Sequence, residues 1–197
     1  MKKVFSFAAA AMCVLSLVGC VGYAQPTSVV ATPSSPTTPI TPTPSSFNLT
    51  SKSFVDGGLM GSEFTCDGAG VSPALEWKNA PAGTQGFAVT MHHFPPANEA
   101  KHVYMVVFDL PSSLNHLERG STTLGSWGIN TVNRKTAYTP PCSKGPGRKD
   151  YILTVYALSA ARVFSSGSSA VAMDDLLTAI KTTTLATATL TVGYARP

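Results

Sequence analysis

Segments rich in β-branched and aromatic residues recur along the chain, bounded by Gly, Pro and Asn. The clearest are Gly86–His92, His102–Leu110, Tyr151–Leu158 and Ala186–Tyr194, and shorter ones cover Phe47–Ser53 and Ala74–Trp77. This composition and punctuation are typical of β-strands. No βαβ rhythm connects them, so a doubly wound parallel sheet is not expected. The sequence therefore predicts a mostly β domain over residues 47–197.

One segment has a clear helical pattern. Two aspartates open Met173–Thr183, where they complement the helix dipole, and Leu176, Leu177 and Ile180 follow as an apolar stripe. We predict a helix there and a shorter helical turn over Leu114–Arg119.

Charge is sparse, at 12% of 197 residues, which argues against a coiled coil and against a histone-like nucleic-acid binder. Fourteen basic and ten acidic residues give a net charge of +4. Without Lys2 and Lys3 the balance is 12 − 10, or +2. We expect no nucleic-acid partner.

The first nineteen residues are typical of a secretory leader. A basic start precedes an uncharged, apolar run over residues 4–18, which is shorter than the ~20 residues that a membrane span needs. The run ends in Leu17-Val18-Gly19-Cys20, which resembles a bacterial lipobox, where the cysteine becomes the first mature residue and carries lipid. We predict a signal peptide over residues 1–19, lipidation of Cys20 and attachment to a membrane through that lipid.

This prediction places the protein in the bacterial cell envelope. Val21 follows the cysteine, which by resemblance to Gram-negative sorting rules favours the outer membrane, facing the periplasm. The alternative is ordinary secretion to the periplasm with cleavage after Ala24. After Cys20 the chain is uncharged and dominated by Pro, Ser and Thr, which predicts an extended linker over residues 20–46. A plain spacer is the favoured interpretation, and a PxxP docking motif or a glycan stalk is the alternative.

Cysteine and histidine usage limits the chemistry. Outside the leader and lipobox only Cys66 and Cys142 remain, and an even pair in an oxidising compartment suggests one disulfide. Two buried free thiols are the alternative. His92 and His93 are adjacent, so on a strand they face opposite sides, and with His102 the ligand count stays short. We expect no metal and no cofactor.

A glycine-rich basic turn over Pro140–Tyr151 suggests an anion site. Glycines let backbone N–H groups approach an anion, and Lys144, Arg148 and Lys149 add positive charge. The alternative is a solvated basic turn that leads into a strand.

Several blocks carry a family resemblance, and they occur in order: Phe64–Gly68, Val71–Trp77, Phe87–Thr90, Val106–Pro111, Gly125–Asn130, Tyr138–Cys142, Tyr151–Leu158 and Gly193–Arg196. They resemble the "TCDG…SPxLxW", "VVYNIP", "G-x-N", "GYxGPCPP", "YxFxVYAL" and "GxYxR" motifs of the phosphatidylethanolamine-binding protein (PEBP) family, in its bacterial Raf-kinase-inhibitor-like branch. The resemblance implies two antiparallel sheets with a few peripheral helices. It also implies a small pocket for phosphate-like head groups.

Carried over by position, the wall of that pocket would comprise His92, His93, Tyr104, Tyr138, Pro141 and Lys149. The chain departs from the family where DPDAP is replaced by residues 92–96, HHFPP. Tyr104 and Lys149 stand where the family has histidines. We therefore expect a pocket of His, Tyr and Lys without carboxylates, which favours anions and lacks a partner for an ammonium group.

These features predict an envelope-anchored protein that is not an enzyme and binds a small anionic or phospholipid head-group ligand. An inhibitor or regulator that acts by protein contact on a kinase or protease is one alternative. An enzyme that uses His93 as general base with Tyr104 is another.

Overall fold

The computed structural model describes residues 46–96, 99–144, 146–164 and 170–196. Residues 43–197 form one compact unit. Its elements are β1 (Asn48–Thr50), β2 (Leu75–Lys78), β3 (Gly86–His93), β4 (His102–Pro111), β5 (His116–Leu117), β6 (Ser126–Trp127), β7 (Lys149–Leu158), α1 (Met173–Ile180) and β8 (Thr184–Tyr194). A short 3-10 turn covers Ser62–Phe64. The predicted leader, lipobox and linker lie outside the described residues, except for residue 46.

The strands form two antiparallel sheets. The smaller has the order β1-β2-β5, and the larger has the order β6-β4-β3-β7-β8. The predicted fold class, a mostly β structure of two antiparallel sheets, is confirmed. Strand β3 lies at the centre of the larger sheet, and all eight of its residues are buried.

Both faces of the larger sheet are covered. One face packs against the smaller sheet around side chains such as Trp77, Phe87 and Leu153, each at most 2% exposed. The other face packs against α1, where Leu176 and Ile180 meet Val106 of β4. Alternation along the strands explains this division, because successive side chains point to opposite faces.

The sequence located the long elements well, and the structure differs in two places. The helix ends at Ile180, because a turn over residues 181–183 leads directly into β8. The helical turn predicted over Leu114–Arg119 is wrong, since His116–Leu117 pairs with β2. That pairing lets Leu117, 3% exposed, join Leu75 in the core between the sheets.

Candidate functional site

A pocket of about 500 Å³ lies at one end of the larger sheet, where β3 ends and where β4 and β7 begin. Its size falls in the range typical of small-molecule sites. The residues that line it are His93, Pro95, Pro96, Glu99, His102, Tyr104, Thr131, Val132, Cys142, Ser143, Lys144, Lys149 and Tyr151.

The floor of the pocket comes from three strands of the larger sheet. The register between β3 and β7 is regular, so His93 continues the face of Met91, which points into the core between the sheets. Lys149, Tyr151 and Leu153 occupy every second position of β7, so all three share that face of the strand. The strands therefore bring three polar side chains to the edge of an apolar core.

A β-bulge directs Tyr104 into the same space. Met91 pairs with Met105 whereas His92 pairs with Val103, so Tyr104 is an extra residue on β4. Tyr104 and Met105 consequently pack in the same core, which regular alternation would forbid. The Tyr104 ring meets Tyr151 edge to face, with their centroids 5.2 Å apart.

The hydrogen bond of His93 fixes its tautomer. Nδ1 lies 2.8 Å from the carbonyl oxygen of Asp150, which can only accept, so Nδ1 carries the proton. The other ring nitrogen, Nε2, is then an acceptor in the neutral ring and a donor only in the imidazolium. His102 is its cross-strand neighbour, with ring centroids 6.3 Å apart.

Two buried hydroxyl groups in the lining have no hydrogen-bond partner among the described residues. They are Tyr151 Oη, on a fully buried residue, and Ser143 Oγ, on a residue 4% exposed. Burial raises the pKa of Tyr104 and of Tyr151 above the ordinary value, so both phenols stay protonated at neutral pH. A buried hydroxyl without a partner costs free energy, and an incoming ligand oxygen would relieve that cost.

The loop that carries Ser143 is fastened at several points. Thr139 N–H donates to the Tyr104 carbonyl, 2.9 Å, and Cys66 N–H donates to the Pro141 carbonyl, 3.0 Å. A disulfide joins Cys66 to Cys142, with Cα atoms 5.2 Å apart, and this confirms the predicted pairing. These contacts hold the loop against the start of β4.

The pocket lining contains both positively and negatively charged residues. Lys149 Nζ donates to the Lys144 carbonyl, 2.8 Å, so its ammonium lies against the loop. Arg148, the third cation of the predicted anion site, instead pairs with Asp150 at 2.8 Å and donates to the Gly57 carbonyl. Glu99 lines the pocket, which corrects the expectation of a site without carboxylates. Glu99 lies in the sequence between His93 and His102, which are cross-strand partners.

Of the six residues carried over by position, His93, Tyr104 and Lys149 line the pocket, and His92, Tyr138 and Pro141 do not. His92 faces the other side of β3, as alternation requires, and burial lowers its pKa, with Lys101 and His93 adding to the effect. Tyr138 and Pro141 support the walls: Tyr138 Oη donates to the Phe64 carbonyl at 2.6 Å, and the Pro141 carbonyl accepts from Cys66 N–H at 3.0 Å.

Sequence reasoning missed the loop that contributes Thr131 and Val132. Asn130, fully buried, organises this loop: its Nδ2 donates to the carbonyls of Lys135 and Ala137, and its Oδ1 accepts from Val132 N–H. The sequence feature that could have indicated this loop is the family-like Gly125–Asn130 block, which ends at Asn130. The structure shows the side chain of Asn130 buried and hydrogen-bonded, as buried polar groups usually are.

A second pocket of about 260 Å³ lies along β2 and β5 and includes Lys52, Glu76, His116 and Glu118. Among the described residues, no three His, Cys, Asp or Glu side chains converge to hold a metal. In the same part of the chain, no helix is both long and apolar enough to cross a membrane.

Fold and site together define a class: a two-sheet β domain with a small polar pocket at the strand ends, lined by phenols, imidazoles and lysines. The phosphatidylethanolamine-binding protein family model matches residues 50–195, so the chain belongs to that family.

Curated relatives and solved structures agree with this assignment. The chain is similar to a UPF0098 protein of Aquifex aeolicus, 33% identical over 115 residues, covering 55% of this chain and 66% of that protein. It is 30% identical over 134 residues to the Mycobacterium tuberculosis protein named "Putative lipoprotein LppC", covering 66% of each chain. The matches span 66% and 58% of the Aquifex and Mycobacterium bovis UPF0098 proteins, respectively.

The fold matches that of CT736, a PEBP homologue from Chlamydia trachomatis, with a TM-score of 0.70 and 24% identity over 77% of this chain and 98% of that one. Escherichia coli YbcL gives a TM-score of 0.68 at 23% identity, covering 77% of this chain and 99% of that one.

Proposed function

We propose that the pocket binds a small anion with a phosphate-like group, either free or as a lipid head group. The observation that carries the proposal is that one pocket lining brings together the hydroxyl residues Tyr104, Tyr151 and Ser143 with Lys149. Hydroxyl and ammonium donors that converge on one space suit an anion with several acceptor oxygens.

The two adjacent cations at the start of β7 offer a matched test. Lys149 lines the pocket, whereas Arg148 pairs with Asp150 and the Gly57 carbonyl. We expect Lys149→Gln to weaken binding of phosphate and phosphoethanolamine by about tenfold, because it removes a charge-assisted donor. Arg148→Gln removes one positive charge from the neighbouring residue, which does not line the pocket, so the affinity for both anions should stay within about twofold of the wild type.

The measurement is titration calorimetry on the chain that lacks residues 1–20. That chain keeps the whole compact unit of residues 43–197. Equal affinities for the two variants, or no binding of either anion by the wild type, would contradict the proposal.

We also propose that the protein is anchored in the bacterial envelope by lipid on Cys20, facing the periplasm from the outer membrane. The sequence Leu17-Val18-Gly19-Cys20 supports this, and the printed name of the LppC relative describes a lipoprotein. The linker over residues 20–46 would then separate the pocket domain from the membrane surface.

Binding is proposed rather than catalysis or control of a partner protein. Ser143 Oγ has no hydrogen-bond partner among the described residues, so no histidine is in place there to activate it as a nucleophile. No feature of the described surface favours a kinase or protease as partner over a small anion.

A further inference from the structure

The outer face of the smaller sheet carries the second cavity, of about 260 Å³, which shares no lining residue with the pocket at the end of the larger sheet. Leu75 and Leu117 point inward to the core between the sheets. Because side chains alternate along a strand, Thr50, Glu76 and His116 point outward. The register places these three in one row across β1, β2 and β5.

The same register, continued by two residues, gives a second outward row of Lys52, Ala74 and Glu118, and all three line the cavity. Ser51 Oγ donates to the Ala74 carbonyl at 2.6 Å, which holds the chain beside β2 after β1 has ended. Lys52 and Glu118 therefore stand on either side of Ala74, about 10 Å apart at two strand spacings of ~4.8 Å. Ala74 contributes only a methyl group, so the space between the two charged side chains stays open.

The cavity wall carries charges of both signs. Lys52 is exposed and forms no ion pair with a described residue. Glu118 pairs with the His116 imidazole, with Oε1 3.3 Å from Nε2, and Glu76 pairs with Lys78 at 2.9 Å. The hydrogen bond from Lys78 lowers the pKa of Glu76, so this carboxylate is ionised at neutral pH. The wall thus offers an ammonium donor on one side, with carboxylates at the centre and on the other side.

This arrangement restricts the class of ligand. An anion would be repelled by Glu76 and Glu118, and a simple cation would be repelled by Lys52. No three metal-ligating side chains converge among the described residues, so a metal ion does not fit either. A molecule with a carboxylate and an ammonium a few bonds apart satisfies both sides of the cavity. The cavity is smaller than the range typical of drug-sized ligands, which favours a molecule as small as a free α-amino acid.

We propose that the outer face of the smaller sheet binds a zwitterionic amino acid, with its carboxylate at Lys52 and its ammonium between Glu76 and Glu118. This site is separate from the proposed anion pocket and does not depend on it. Its charged groups are exposed to water, which screens each ion pair. Binding is therefore weak, with a dissociation constant on the order of millimolar, and it depends on the charge pattern of the ligand.

NMR titration of the isotope-labelled chain that lacks residues 1–20 measures the affinity and locates the site. The probe is L-alanine, and two derivatives are its controls: L-alaninamide lacks the carboxylate, and N-acetyl-L-alanine lacks the ammonium. We expect L-alanine to shift the amide signals of residues 74–76 and 115–118, and each derivative to bind about fivefold more weakly. Absence of shifts at those residues, or equal affinity for the three compounds, would overturn the proposal.

Variants of single charges assign the two ends of the ligand. We expect Lys52→Gln to lower the affinity for L-alanine by about fivefold and to abolish the preference over L-alaninamide, because the carboxylate loses its partner. Glu118→Gln should reduce the preference over N-acetyl-L-alanine. Lys181→Gln is the matched control, since Lys181 is exposed in the turn before β8 and does not line the cavity. Equal affinities of Lys52→Gln and Lys181→Gln for L-alanine would contradict the assignment.

Phosphate calorimetry separates this inference from the proposed function. Lys52→Gln should bind phosphate as the wild type does, because the two cavities share no lining residue. A parallel loss of phosphate binding in this variant would show that no separate amino-acid site exists. Wild-type protein that binds L-alanine but not phosphate would remove the proposed function and support the site on the smaller sheet.

Discussion

At the scale of single residues, two tyrosines near the pocket differ in the role of their hydroxyl groups: Tyr138 is half-buried and Tyr151 is fully buried. Tyr138 Oη donates to the Phe64 carbonyl at 2.6 Å, whereas Tyr151 Oη has no hydrogen-bond partner among the described residues. Burial raises the pKa of both, so each remains a neutral phenol at physiological pH. The Tyr138 hydroxyl supports the wall of the pocket, and we propose that the Tyr151 hydroxyl contributes to anion binding.

Phenylalanine substitutions should separate these roles. Tyr151→Phe removes a buried hydroxyl whose nearest polar neighbour is the Tyr104 phenol, so we expect the free energy of unfolding to change by less than about 1 kcal/mol. Phosphate affinity should fall by about fivefold because a donor is lost. Tyr138→Phe should lower stability by about 1–2 kcal/mol and leave affinity unchanged, since it orphans the Phe64 carbonyl outside the pocket. Denaturant unfolding and calorimetry would measure both effects. An affinity loss in Tyr138→Phe alone would reverse the assignment.

At the scale of elements, the site depends on irregular segments fastened to regular strands. The loop with Ser143 and Lys144 is attached to β4 through Thr139 and to the Cys66 segment through the disulfide. Two of the pocket's polar groups therefore depend on a cross-link between residues 76 positions apart in the sequence.

Removal of this cross-link should affect stability and binding together. In the chain-entropy model a loop of this length contributes about 4 kcal/mol, so we expect Cys66→Ser with Cys142→Ser to lower the free energy of unfolding by that order. Phosphate affinity should also fall, because the freed loop no longer holds Ser143 and Lys144 in place. Denaturant unfolding with and without reductant provides the control, since reductant should destabilise the wild type and leave the double variant unchanged. Equal stability of wild type and double variant would show that the cross-link does not constrain the fold.

At the scale of the whole molecule, the pocket domain follows a sequence that predicts a lipid anchor and a linker. The compact unit begins at residue 43, close to the predicted end of the linker at residue 46. An anchor at Cys20 would keep the domain near a bilayer and raise the local concentration of lipid head groups around the pocket.

Metabolic labelling of cells with a palmitate analogue tests the anchor. We expect the wild-type chain to be labelled and to fractionate with membranes, because two or more acyl chains give stable attachment. Cys20→Ser should abolish the label, whereas the double substitution of Cys66 and Cys142 should not. Label that survives Cys20→Ser, or an unlabelled wild type, would refute the lipoprotein prediction.

The long strands were predictable because their patterns are local. The predicted ends of β3, β4, β7 and β8 agree with the structure to within two residues. Runs of β-branched residues bounded by Gly, Pro and Asn are typical of strands, so the sequence marks their ends directly. Leu114–Arg119 failed because its conformation depends on pairing with β2, about forty residues earlier in the chain. The β-propensity of a short segment does not reveal which distant strand it will pair with.

The sequence alone predicted the antiparallel β class and the family, and it suggested a bond between Cys66 and Cys142 with free thiols as the alternative. The family resemblance implied that His93, Tyr104 and Lys149 share one site. Only the tertiary structure decided which neighbouring side chains share that site. The bulge that turns Tyr104 inward, the position of Glu99 in the pocket lining and the hydrogen bond from Arg148 to the Gly57 carbonyl all depend on contacts between separate segments. Side-chain type and alternation are properties of the local chain, whereas register and loop placement arise from the packing of the whole domain.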